Sequence, residues 1–472
     1  MKVQNLIIRA SILLFAALGV VALGRAQDTQ TEEKPKPAAK SYGPIGAEEE
    51  NQNPAPDTLQ PDGRPLTGFQ QPTVGMNMER HSYWVPGVSY YNFINSNGQT
   101  QGGGSDWNST SYLSGNVSLL ENWSRSQLAL NFSGGGYFSS DSRSGNGGLA
   151  QLGAVQTFNR ERWQLTFLDQ FAYLPESQFG FGAGTGLAAP GIGGTLGVGS
   201  TGLGGQYDPG QSIFTAVGPR YTNTFGTQMN YVLSPRTSVT FGGIVSILRF
   251  TESGNIESNN YIGSAGYNYQ ITREDTIGLQ YHFSSFHYLG SAQAIGDHSI
   301  QAVYGKKITG RLALQLAGGP EITHYRIPLG GGGNTQHVSG SGTATLSYTF
   351  ARGSVSLGYL HGLTSGSGVF VGATTDQLTV SGSRKLSRVW SGDAHVGFAH
   401  NRQATTAEGL ASPSYNTVYA GGSAARPLGR NASFSLGYTA YRETSDNAGS
   451  VSFTTHQISV GLSWHSRPFV LH

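Results

Sequence analysis

The side chains of this sequence that could do chemistry are mostly neutral hydroxyls and amides, with a few scattered histidines. His282 and His287 lie five residues apart and on opposite sides of an alternating pattern, so we do not expect a shared metal ion. The chain has no cysteine, which excludes disulfides, thiolate metal ligands and a cysteine nucleophile. We find no nucleophile-elbow motif and no acid–histidine–serine spacing. The residues therefore predict no enzyme activity, no metal site and no cofactor.

Neutral polar residues recur at every second position of segments whose other positions are apolar. From Gly342 to Phe350 the sequence alternates in this way, and the pattern resumes at Val355 after a short turn. Period-two alternation rich in β-branched and aromatic residues predicts antiparallel hairpins with one apolar and one polar face. Twelve residues are predicted to line a wet interior: Gln280, His282, Gln315, Glu321, Thr343, Thr345, Gln377, Thr379, Ser433, Ser435, Gln457 and Ser459.

Arginine-containing turns divide the chain into repeating hairpins. Successive turns lie 36–42 residues apart, except for one interval of 74 residues that contains a Gly-rich insert at 176–210. The other connections are longer and rich in Gly, Ser and Asn. This repeat predicts about 18 strands (16–18) of a length that spans a bilayer when tilted. A β-propeller or a β-solenoid is the weaker alternative, because its period would hold more and shorter strands. The arginines are Arg125, Arg162, Arg236, Arg273, Arg311, Arg352, Arg388 and Arg430.

Composition and the first residues point to export. Charged residues make up only 12% of the chain, and 69 residues are glycine. Residues 1–26 have a basic start, an apolar stretch and small residues before the expected cleavage after Ala26. Their removal takes away three of the 29 basic side chains and none of the 27 acidic ones, so the basic balance does not indicate nucleic acid. Residues 27–80, rich in Pro, Glu and Gln, are expected to be a disordered periplasmic segment.

The hairpins at about 83–465 resemble the outer-membrane β-barrels of Gram-negative bacteria, specifically the porin-like ones. The resemblance rests on the repeated strands, the short and long connections, the export signal and a final alternating strand that ends at Trp464. It implies an all-β, transmembrane, antiparallel up-and-down barrel over residues 81–472, with periplasmic termini and short periplasmic turns. It also implies contacts with outer-membrane lipid and the assembly machinery. Trp464 is the candidate assembly-signal aromatic, although His465–His472 follows it.

The expected function is passive diffusion of small hydrophilic solutes, with weak ion selectivity because the predicted lining is mostly neutral. The alternatives are an export or assembly barrel for a surface polysaccharide and a surface-display or adhesion barrel. In porins a loop placed like the 176–210 insert constricts the pore, and here an inward and an external position both stay open. Homo-oligomers are possible. Asp169 lies on the apolar side of its strand, and the alternation does not explain it.

Overall fold

The computed structural model places a large part of the chain on one continuous sheet. It describes residues 66–67, 82–96, 107–140, 146–174, 220–251, 254–290, 293–326, 335–366, 369–404, 413–446 and 452–471. Residues 1–26, most of 27–80 and the insert at 176–210 lie outside these ranges, so the expectations about them stay predictions. No helix among the described residues is both long and apolar enough to span a bilayer.

Nineteen strands make up the described fold, and all but the short last one are rich in alternating apolar and small polar residues. They are β1 (Ser82–Ser96), β2 (Trp107–Asn122), β3 (Ser126–Ser139), β4 (Asn146–Asn159), β5 (Trp163–Leu174), β6 (Arg220–Ser234), β7 (Thr237–Phe250), β8 (Ser258–Gln270), β9 (Asp275–Tyr288), β10 (Ala294–Lys307), β11 (Leu312–Arg326), β12 (Thr335–Phe350), β13 (Gly353–Thr364), β14 (Ala373–Lys385), β15 (Ser391–Gln403), β16 (Ser414–Pro427), β17 (Ala432–Ser445), β18 (Phe453–His465) and β19 (Phe469–Leu471).

The sheet closes on itself as an antiparallel barrel. Each of β1–β18 pairs with its neighbours in sequence, and β1 pairs with β18 from Gly87↔His465 to Asn95↔Gln457. The predicted all-β up-and-down barrel of 18 strands is thereby confirmed. The three-residue β19 was not predicted; it continues beyond β18 and pairs with the start of β1, where the ring of Phe469 stacks on Trp84 at 4.9 Å.

Large apolar side chains are exposed on the outside of the barrel at every second position. On β9 the outward residues Ile277 and Leu279 are 42% and 57% exposed. The inward residue Gln280, which follows Leu279, is only 8% exposed. The same alternation holds on β13 with Leu357 and on β18 with Leu462. A closed sheet with an apolar exterior satisfies its backbone without water, which is the condition for crossing hydrocarbon with strands.

A polar row ends this apolar exterior near the long connections. Register places His361, Asp376, His400 and Asn416 side by side on four adjacent strands. The Nδ1 atom of His361 lies 2.7 Å from the Asp376 carboxylate, which also accepts a 2.8 Å hydrogen bond from Tyr359. His400 and Asn416 are joined at 2.8 Å. Polar and aromatic side chains near the strand ends are typical of a membrane–water interface.

Asp169 on β5 points to the outside of the barrel without any break in strand pairing. Its register partner on β6 is Phe225, which is an exposed outward residue. The carboxylate accepts a 2.9 Å hydrogen bond from the Asn223 side chain on the same face. The interruption of the apolar pattern is therefore a bonded polar pair, since both β4 and β6 pair with β5 in continuous register.

We expect Asn223→Leu to lower the free energy of unfolding by about 1–3 kcal/mol, because it removes the hydrogen-bond donor of an outward carboxylate. The Asp169→Leu/Asn223→Leu double variant should recover this loss, since no polar group is left on that part of the apolar face. Urea unfolding in lipid vesicles, followed by tryptophan fluorescence, measures both. Equal stability of the single variant and the original protein would contradict the assignment.

Candidate channel lining

Along each strand, the residues predicted to line the interior alternate with the exposed apolar side chains. All twelve therefore lie on the inner face of the sheet. Gln280 and Ser435 are buried, whereas Thr343 and Thr345 are exposed. His282 is on the inward side of β9, and His287 is on the outward side with Tyr281. Among the described residues no group of three potential metal ligands occurs. Parity therefore assigned the face of each residue, but not its access to water.

Access to water is concentrated on one part of the inner wall. The exposed inward residues of β12–β15 are His337, Thr343, Thr345, Ser354, Ser381, Ser383, Ser391 and Asp393. Most of them lie near the short turns. The inward polar residues of β1–β10 are instead largely buried, as Ser114, Ser133 and Asn260 illustrate. The water-accessible part of the inner wall is therefore one-sided.

Serine pairs form a hydroxyl ladder along this inner wall. Ser356 and Ser381 face each other across β13 and β14 at 2.7 Å, with a second pair two residues nearer the turn at 3.3 Å. Ser433 and Ser463 form a similar pair at 2.6 Å between β17 and β18. Each hydroxyl keeps further donor or acceptor capacity, so the ladder can exchange hydrogen bonds with water or with hydroxylated solutes.

Among the described strands, the acidic groups inside the barrel are one exposed residue, a buried pair and the separate buried Glu443. Asp393 on β15 keeps half of its side chain exposed, accepts a hydrogen bond from Ser423 and lies 4.0 Å from the His395 ring. Asp297 and Glu321 on β10 and β11 are each only 4% exposed. Glu321 was predicted to face the interior, which parity supports, but its burial removes it from the water-accessible wall. Asp393 was not among the predicted residues, although Ala394, Val396 and Phe398 mark the opposite face of its strand.

An inward apolar row crosses eight strands and was not predicted. Successive register partners are Tyr83, Leu120, Ala129, Val155, Leu168, Gly226, Ile244 and Ile262, on β1 to β8. The seven apolar members form one buried cluster. Each strand contributes a single residue to this row. Within the sequence of one strand, that residue is only an apolar side chain on the otherwise polar inner face. Only the register between strands brings the row together.

The connection between β13 and β14 reaches over the mouth at the long-loop end. The Tyr288 hydroxyl at the end of β9 donates a 3.1 Å hydrogen bond to the Ser365 carbonyl. Phe286, Tyr288 and Ile295 form a buried cluster with Val371 packed against it. The described part of this connection therefore contacts the inward end of β9, four places away in the ring. The 176–210 insert, in which a constriction was considered, lies outside the described residues.

Comparisons with known proteins give distant similarities only. No protein-family model and no curated protein matches the chain. The crystal structure of Pseudomonas aeruginosa OccK2 (OpdF) covers 81% of this chain and 98% of its own, at 10% identity and a TM-score of 0.42. Acinetobacter baumannii OccAB4 covers 82% and 98%, at 10% identity and 0.43. A BenF-like porin from Pseudomonas fluorescens Pf-5 covers 83% and 98%, at 9% identity and 0.41. Values this low carry no conclusion about function, and barrel closure rests on the strand pairs of this chain.

We expect Tyr288→Phe to loosen the connection over the mouth, because the buried Ser365 carbonyl loses its hydrogen bond. A loss of about 1 kcal/mol corresponds to roughly fivefold faster hydrogen exchange of residues 369–372. Mass-spectrometric exchange of the refolded barrel measures this. Tyr281→Phe is the matched control, since its hydroxyl bonds His298 on the outer face. Equal exchange in both variants would show that Tyr288 does not hold the connection.

Proposed function

We propose that this protein is an outer-membrane channel for passive diffusion of small hydrophilic solutes. The observation that carries the proposal is a closed barrel of 18 strands with an apolar exterior and a hydroxyl-rich, water-accessible inner wall on β12–β15. Such a wall can replace part of the hydration of a solute without binding it tightly, which is what conduction requires. No catalytic group is needed for this function.

The rest of the proposal follows the sequence predictions. Both ends of the described sheet, Ser82 and Leu471, meet at the short-turn end, which supports short turns and termini on the periplasmic side. A signal peptide at 1–26 cleaved after Ala26, a periplasmic segment at 27–80 and a barrel at 81–472 complete the organisation. Nine of the twelve predicted residues are the proposed lining; Gln280, Glu321 and Ser435 also face inward but are buried. Outer-membrane lipid and the assembly machinery are the proposed partners, with Trp464 as the proposed assembly signal.

Planar-bilayer recording of the refolded mature protein tests the function. We expect steady, weakly selective current steps from a barrel that migrates differently before and after heating. Silence from such a folded barrel would overturn the open-channel proposal. The buried wall of β1–β10 would then favour a surface-display or export barrel with a filled lumen.

We expect Asp393→Asn to lower the cation-to-anion permeability ratio roughly twofold in 0.1 M salt, because it removes the exposed inward carboxylate of β15. The effect should fade as salt rises and screens the charge. Reversal potentials across a KCl gradient measure the ratio. Asp376→Asn is the matched control, since that carboxylate lies on the outer face. If the two variants change selectivity equally, Asp393 does not face the conducting path.

A further inference from the structure

Two residues that precede the first strand lie inside the barrel, against the inner wall. Thr67 is 1% exposed, although it is far from β7 and β8 in sequence. Its backbone N–H donates to the Asn268 Oδ1 atom at 2.9 Å, and the Asn268 Nδ2 atom donates to the Thr67 hydroxyl at 2.6 Å. The same hydroxyl lies 2.8 Å from the Thr240 hydroxyl. One amide side chain therefore contacts both the backbone and the hydroxyl of Thr67.

Leu66 extends the contact to β10 and β11. Its carbonyl accepts a 3.4 Å hydrogen bond from Gln315 on β11. A methyl group added to Gly305 on β10 would lie 2.7 Å from Leu66 Cδ1, and the three atoms nearest to that methyl all belong to Leu66. The missing side chain of Gly305 is thus the space that Leu66 fills.

The wall beneath these two residues consists of three cross-strand pairs, each with one glycine and one polar residue. We call them the arm dock: Thr240↔Gly266, Asn268↔Gly278 and Gly305↔Gln315. A methyl group on Gly278 would approach Thr67 Cγ2 to 2.9 Å, and one on Gly266 would overlap the Thr67 side chain. The glycines give space and the polar residues give hydrogen bonds. All six residues lie within a few positions of the short turns.

We propose that the arm dock is a binding site for the chain's own Leu66–Thr67 segment and that its occupation narrows the channel at the short-turn end. The polar residues recognise a hydroxylated side chain and an extended backbone, and the glycines admit both side chains. The occupied dock covers the wall of β7–β11, whereas the exposed inward residues are on β12–β15. The narrowing rests on the proposed channel function; the docking does not. The expectation of a disordered 27–80 segment did not anticipate this contact.

Disulfide trapping tests the docking, because the chain contains no other cysteine. The full-length Thr67→Cys/Thr240→Cys variant, assembled in outer membranes, is expected to lose its reactive thiols under mild oxidation, as read by maleimide–polyethylene glycol labelling. Thr67→Cys/Ser463→Cys is the control, since Ser463 is an inward residue on β18, on the opposite side of the ring. Protection in the first variant alone supports the dock. Equal protection, or none in either variant, overturns it.

A bulkier residue in the dock tests the same contact without cross-linking. In the Thr67→Cys/Thr240→Cys background, Gly305→Val is expected to abolish the protection, because its side chain occupies the space of Leu66. Gly263→Val on β8 is the matched control, since nothing lies within 4 Å of a methyl group there. Unchanged protection with Gly305→Val, in a barrel that retains its heat-dependent migration, overturns the role of the dock.

Conductance separates the narrowing from the docking. For Thr67→Cys/Thr240→Cys we expect small steps when oxidised and larger steps after reduction or in the presence of Gly305→Val. Trapping without any change in step size overturns the narrowing. If every form traps as expected but none conducts, the channel function and the narrowing fail together, while the dock itself is upheld by the labelling result.

Discussion

The closure of β1 on β18 is the constraint on which the rest of the structure depends. In hydrocarbon an unpaired backbone group is costly, so a sheet can cross a bilayer only when its first and last strands pair. Pro86 on β1 has no N–H to donate. The interruption between β18 and β19 lies opposite this residue. The Ser466 N–H in the interruption still donates a hydrogen bond to the Pro86 carbonyl at 2.9 Å. Because the N–H and C=O of a strand residue point to the same neighbour, the break leaves no lost donor there.

Closure also fixes the size of the interior, so the side chains and chain segments that lie against the inner wall decide how much of it is open. A ring of 18 strands has a set circumference. On β12–β15 the inward residues are small hydroxyls that leave the wall wet. On β1–β8 the apolar row and its buried polar neighbours exclude water. These two parts of one sheet have the same alternation. Their interiors differ because small hydroxyls line one part and closely packed apolar and polar side chains line the other.

The spacing of the turns was sufficient to predict the number of barrel strands, and local alternation was sufficient to predict the face of every candidate lining residue. Side-chain direction along a strand depends only on position, so Gln280 and Thr345 could be assigned without any neighbour. The apolar row from Tyr83 to Ile262 could not be predicted, because it exists only through the register of eight strands. Asp169 was unexplained for a similar reason: its partner Asn223 is 54 residues away in sequence and becomes adjacent only in the barrel.

The contacts of the described connections and arm were hidden from the sequence for a different physical reason. Tyr288 meets Ser365, and Thr67 meets Asn268, across 77 and 201 residues. Neither contact repeats, so no period reveals it. Inward-facing glycines on neighbouring strands partly indicate such a contact in the sequence. Gly266, Gly278 and Gly305 have no Cβ atom, so together they leave space beside the inner wall. In a barrel whose width is fixed, such space is useful only if another part of the chain fills it or a solute passes through it. Hydrogen bonds from Asn268 and Gln315 to Thr67 and Leu66 favour the first use.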